Sequence, residues 1–138
     1  MSAAVRAAFT GGGVPTSPYL AHAKVNLGLA VIALRGDGYH ELETVMARIG
    51  LADELTVVVA EAGESHDSVR LSVEVAPGLP GSGAIGSAED NLATRAAYAY
   101  LRARRTWTPA APFVRIDLRL VKRIPIAAGL GGGSADAG

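Results

Sequence analysis

Three groups of residues in this sequence have types and spacings that could do chemistry. The first is "GLGGGSAD", Gly129 to Asp136, with the strand-like "FVRIDLRLVKRIP" before it and small polar residues after it that can open a helix. Glycines lack a Cβ, so their N–H groups can approach phosphate oxygens closely, and a helix start adds partial positive charge. Ser134 could cap that helix, or donate its hydroxyl to a phosphate or to Mg²⁺. No Lys-Ser/Thr pair follows the glycines, so the stretch is not a Walker A loop. Glycine content alone leaves a phosphate loop and a plain strand-to-helix turn equally open.

The second group is Lys24 and Asn26, two polar residues on one face of an apolar stretch. Standing alone, such a pair is usually the solvated side of a strand. The third is "RGDGYH", a turn whose Asp37, Tyr39 and His40 are expected to come near the same end as Lys24 and Asn26. An aromatic beside a histidine can stack on and hydrogen-bond a flat heterocycle, although a lone Tyr-His pair is more often hairpin packing. A further glycine run, "GSGAIG" at 81–86, formally matches the dinucleotide fingerprint G-x-G-x-x-G. "APGLP" separates it from the preceding strand and no acidic residue ends a strand at the required distance, so a surface loop is the better reading.

The elements that must position these groups follow from periodicity. From His22 to Leu34, Val25, Leu27, Leu29 and Val31 alternate with Lys24, Asn26, Gly28 and Ala30, the pattern of a half-buried strand. Asp37-Gly38 predicts a hairpin turn into a second strand over roughly Glu41 to Ile49. "DELTVVVA" at 53–60 and "SVRLSVEVA" at 68–76 are two further strand candidates. "AEDNLATRAAYAYLRAR" is rich in helix formers, with Leu92, Ala96, Ala99 and Tyr100 as its expected buried stripe. Val114, Ile116, Leu118 and Leu120 then alternate on one face of a strand that delivers the chain into Gly129. Strands, a helix, a strand and a nascent helix make an α+β arrangement.

Composition bounds what these groups can serve. The chain has 138 residues, 49% apolar and 19% charged, enough for one domain with a real core. Thirteen basic residues balance thirteen acidic ones, so no overall field collects nucleic acid or an anionic membrane, and neither is expected as a partner. Without cysteine there are no disulfides, thiolate metal sites or cysteine nucleophiles, and three scattered histidines predict no protein-held metal. No apolar run reaches the ~20 residues of a membrane span, and the first 18 residues read as a flexible leader, not a signal peptide. A cytoplasmic location is the default expectation.

Taken together, "AHAKVNLGLAVIALRGDGYHELETV", "EDNLATRAA" and "KRIPIAAGLGGGSADA", in this order and spacing, resemble the GHMP kinase superfamily of galactokinase, homoserine kinase, mevalonate kinase and phosphomevalonate kinase. "AKVNLGL" and "RGDGYH" resemble in particular its branch that phosphorylates a CDP-linked methylerythritol in the non-mevalonate route to isoprenoid precursors. The resemblance runs from about Pro18 to Gly138 and implies the GHMP N-terminal domain, a mixed, mostly antiparallel sheet with helices on one face. It implies transfer of the ATP γ-phosphoryl group to the substrate's 2-hydroxyl, with Mg²⁺ accompanying ATP. Lys24 matches the family's active-site lysine and Asn26 a residue lining the substrate site, while Tyr39 and His40 match the pair that holds cytosine. Asn91 and Lys122 match positions on the nucleotide side. Pro125, Ile126, Ala127, Ala128, Gly129, Leu130, Gly131, Gly132, Gly133, Ser134 and Ala135 match the ATP phosphate loop.

Two departures qualify what the resemblance implies. The family's catalytic aspartate lies in a "GADVP"-like segment beyond the glycine-loop helix, outside these 138 residues, as does its C-terminal domain. Neither Asp117 nor Asp136 matches that aspartate, so the chain alone is expected to be inactive or nearly so. "GGGSAD" also leaves one serine where the family often has two. Other readings are a nucleotide-binding module without catalysis, a dinucleotide binder using "GSGAIG", and another small-molecule kinase of the superfamily.

Overall fold

The computed structural model describes residues 17–63, 65–81 and 86–138; most of the expected leader and the centre of "GSGAIG" lie outside them. Four strands, β1 (Tyr19–Leu34), β2 (His40–Glu61), β3 (Ser68–Val75) and β4 (Val114–Lys122), form one sheet in the order β1-β2-β4-β3. Two helices, α1 (Leu92–Trp107) and α2 (Gly132–Ala137), complete the described elements. β1 with β2 and β2 with β4 are antiparallel, whereas β3 and β4 run parallel. A parallel pair needs a crossover, and α1 is that crossover.

The two strands expected at 41–49 and 53–60 are one strand. The first part of β2, up to Leu55, pairs with β1, and Glu54 to Glu61 pair with β4, so the expected pieces are two partner zones of one continuous β2. Gly50 to Ala52, which the two expected strands leave between them, lie within the strand.

α1 begins at Asn91, whose side chain accepts a hydrogen bond from the Ala93 N–H at 2.9 Å, an N-cap worth about 1 kcal/mol. Its buried face is set one residue away from the expected stripe. Ala93 and Leu101 are buried, with Ala97 packed beside them, against Val114, Ile116 and Leu118 of β4. Leu92 and Tyr100 are exposed, because the cap at Asn91 turns positions 93, 97 and 101 toward the sheet. The β4 face is as expected, and Leu120 is completely buried.

The hairpin turn forms at Asp37-Gly38. Gly38 takes φ 84° and the Tyr39 N–H bonds to the Asp37 carboxylate at 3.1 Å. Leu34 pairs with His40 and Asn26 with Met46, so eight residues of β1, roughly 26 Å of strand, separate Asn26 from the tip. Tyr39 and His40 therefore do not come near Lys24 and Asn26, contrary to the expectation. The half-buried pattern of this strand also fails. Leu27, Leu29 and Val31 are at least half exposed, as are Val45 and Met46 across the ladder, because the pairing of β4 with β2 starts only at Glu54 and the arm extends past it.

Candidate functional site

β4 ends against a loop that returns to α2. Ile124 is fully buried, the Ile126 N–H bonds to the Pro80 carbonyl at 3.2 Å, and Gly129 and Gly131 both adopt φ 72°. Gly131, not Ser134, occupies the N-cap of α2, and Ser134 sits exposed inside that short helix. The expectation of a serine cap fails because the left-handed turn at Gly131 starts the helix earlier, with the Ala135 N–H bonded to the Gly131 carbonyl.

The loop encloses a cavity of about 430 Å³, within the usual range for small-molecule sites. Residues 125–134 line it, with Asn91, Lys122 and Asp136. Of the expected nucleotide-side residues only Ala135 is elsewhere, in an open groove beside Tyr19, Leu55 and Val57.

Two glycines are required by what packs on them. A Cβ at Gly131 would stand 3.1 Å from Cγ and 3.2 Å from Cε of Lys24. One at Gly132 would stand 3.0 Å from the Ile124 side chain and 3.2 Å from the Lys122 ammonium. The loop is thus pressed between two lysines. Lys24 is held there by its backbone N–H, which donates to the Leu130 carbonyl at 3.0 Å, and its ammonium donates to Asn26 Oδ1 at 3.2 Å. The Lys24–Asn26 pair is therefore a joined polar patch fastened to the glycine loop, while Tyr39 and His40 are not part of this assembly.

Lys122 is buried, and its ammonium is committed to Asp136 at 2.8 Å and to Asp53. Burial pulls its pKa down, but the hydrogen bonds and charges of Asp136 and Asp53 outweigh that and raise it, keeping it cationic. Burial pushes Asp136 up to about 6, Lys122 opposes, and the Asp53 carboxylate reinforces the rise. Sequence reasoning missed Asp53. It is fully buried and also accepts the backbone N–H groups of Arg123 and Ile124, the latter at 2.8 Å. Its one signal was an acidic residue in the apolar run "IGLADELTVVV", which reads equally as a turn.

Asp117, in β4, is held by Arg115 at 2.9 Å, so it does not face the cavity chemistry. Among the described residues, no group of three His, Asp or Glu converges on a metal-sized site. Nor is any helix there long and apolar enough to cross a membrane.

Residues 91–138 match the family described as GHMP kinases N terminal domain. The chain is 42% identical over 117 residues to 4-diphosphocytidyl-2-C-methyl-D-erythritol kinase of Desulfitobacterium hafniense, and 45% identical over 118 residues to that of Desulfotalea psychrophila. These alignments take in 85% and 86% of the chain but 33% and 34% of the relatives, so the chain spans about a third of their length. A crystal structure of 4-(cytidine 5'-diphospho)-2C-methyl-D-erythritol kinase superposes with a TM-score of 0.57 at 42% identity, over 87% of this chain and 36% of that one. A homoserine kinase from Cytophaga hutchinsonii, at 17% identity and a TM-score of 0.51 over 94% of this chain and 34% of its own, shares the fold.

Proposed function

The chain belongs to the GHMP kinase family, and from that premise we propose that its glycine loop holds the phosphates of ATP while Lys24 and Asn26 face the alcohol that receives the γ-phosphoryl group. The observation that carries this reading is the packing of the Lys24 stem on Gly131, with the Lys24 N–H bonded to Leu130. A cation and a loop of bare backbone are fixed as one unit beside a cavity, which is what a phosphoryl transfer asks of a protein. The substrate proposed is the CDP-linked methylerythritol named in the relatives, phosphorylated at its 2-hydroxyl.

In this mechanism the loop's N–H groups orient the phosphates, while Asn91 and Lys122 line the same cavity and Lys122 holds the loop from beneath. The Lys24 ammonium, kept in place by Asn26, offsets negative charge as the hydroxyl attacks. Mg²⁺ fits as a companion of the phosphates: a hard cation that keeps its waters needs few protein ligands, and Ser134 offers one exposed hydroxyl at the loop. What these residues supply is position and charge. Asp53 and Asp136 are spent on Lys122 and Asp117 on Arg115, so none of these three is free to accept the hydroxyl proton.

Tyr39 and His40 take the cytosine in this reading. For one ligand to touch both ends, the arm must curl toward the loop, and the three register shifts in β1 are where its ladder already yields.

The test is a kinase assay, with ATP and the CDP-linked alcohol, of an enzyme of the relatives' full length that carries these residues. Lys24→Ala is expected to lower kcat by about 100-fold or more while the KM for ATP changes little. An unchanged kcat would remove Lys24 from the mechanism. Binding of NAD in preference to ATP would favour the dinucleotide reading, and equal use of a substrate lacking cytosine would point to another small-molecule kinase.

A further inference from the structure

Beneath the glycine loop lies a cluster of charge that phosphate contact does not explain. Asp53 of β2 accepts from the Lys122 ammonium and from the N–H groups of Arg123 and Ile124, where the chain leaves β4. Lys122 also donates to Asp136 Oδ2 in α2, and its ammonium lies 3.2 Å from where Gly132 would carry a Cβ. Asp136 is buried, and its Oδ1 has no hydrogen-bond partner. Three elements thus converge on one ammonium directly under the loop.

We propose that Asp53 and Asp136 are positioning residues of the glycine loop. Acting through Lys122, they fix its exit from β4 and its entry into α2. The proposal rests on the reading of this loop as a phosphate site.

One carboxylate would suffice to pair Lys122. The second ties α2 to the same ammonium that Asp53 ties to the end of β4, so the loop between them is held at both ends.

ATP binding is measured by calorimetry at one fixed pH for the wild-type chain, Asp136→Asn, Asp136→Ala and Asp53→Asn, with amide exchange of residues 123–133 followed in the same samples. Asp136→Asn keeps an acceptor for Lys122 and is expected to bind ATP within about twofold of wild type, whereas Asp136→Ala removes the acceptor and is expected to bind about tenfold more weakly, with faster exchange at 123–133. Asp53→Asn can turn an amide NH₂ toward Lys122, and is expected to weaken ATP by about tenfold and to speed exchange at 123–133. Wild-type affinity and exchange in Asp136→Ala and Asp53→Asn overturn the positioning. If wild type binds no ATP, the phosphate reading fails, and exchange alone decides: unchanged rates in both of these variants sink the positioning as well. Should Asp53→Asn fail to fold, the contrast between Asp136→Asn and Asp136→Ala carries the decision.

Discussion

Replacing Asp136 by Asn should make the protein more stable at alkaline than at acid pH, relative to wild type. In the fold the Asp136 carboxyl is raised from 3.8 to about 6, mainly by burial, with Lys122 opposing and Asp53 reinforcing. A raised acid binds its proton more tightly in the folded state, so its stabilising contribution is complete below the unfolded value and is lost as pH rises through the folded one. At about 1.4 kcal/mol per unit, the full shift amounts to roughly 3 kcal/mol, of which about half lies between pH 8 and pH 5. Asn cannot ionise and escapes this loss. Urea unfolding of both proteins at pH 5, 6, 7 and 8 would give ΔG from midpoints and slopes, and taking the difference at each pH cancels every other titrating group. The gap should move in favour of Asp136→Asn by somewhat more than about 1 kcal/mol from pH 5 to pH 8, with about two-thirds of that change complete by pH 6. A gap that is constant, or that moves toward wild type with rising pH, would refute the account of a buried carboxylate in a cluster of excess negative charge.

Three further outcomes follow from the geometry. Gly131→Ala should destabilise by about 1–3 kcal/mol in thermal unfolding, because its φ of 72° disfavours a Cβ and the Lys24 stem occupies the space; no change would mean that Lys24 is not packed there. Asn91→Ala should cost about 1 kcal/mol through loss of the α1 cap, and Asn91→Ser should restore most of it, as chemical denaturation would report. Asp67 is held below its ordinary value by the Arg105 hydrogen bond, against the cost of burial, with help from the Val114 N–H and the charges of Arg105 and Arg104. Its contribution is present above 3.8 and fades as pH falls further, so the deficit of Asp67→Asn should be about 1–3 kcal/mol at pH 7 and shrink in acid. A deficit that grows below pH 4 would contradict the ion pair.

What could be read from sequence was what repeats at short range. The alternation of Val114, Ile116, Leu118 and Leu120 identified β4 because each second residue meets the same core, and Asp37-Gly38 marked a turn that needs positive φ. The length of β2 could not be read, since Gly50 interrupts the apolar pattern even where a neighbouring strand holds the backbone extended. The face of α1 shifted by one residue because the Asn91 cap, rather than the size of Leu92 and Tyr100, sets which residues point at the sheet. At the site, the glycine loop and Lys24 were legible from residue types, and the loop's contact with Lys24 follows from the fold. Asp53 was not, because its partners are Lys122, Arg123 and Ile124, about 70 positions away. Tyr39 and His40 were placed beside Lys24 by treating a hairpin as short, and the register shows an arm.

The separation between Asp53 and Ile124, 71 positions, has a kinetic meaning. Residues 123–133 have few strong local preferences of their own, and their anchor exists only after β2 and β4 have found each other across the long excursion through β3 and α1. Closing so long a loop is entropically slow and must precede any contact that rewards it. The glycine-loop cradle is accordingly expected among the last features to become ordered, and the anion affinity proposed for it would report the completeness of the sheet behind it. A substitution in the sheet core, such as Leu118→Ala, would then be read out at the loop as a weakened grip, with no change to any residue the ligand touches.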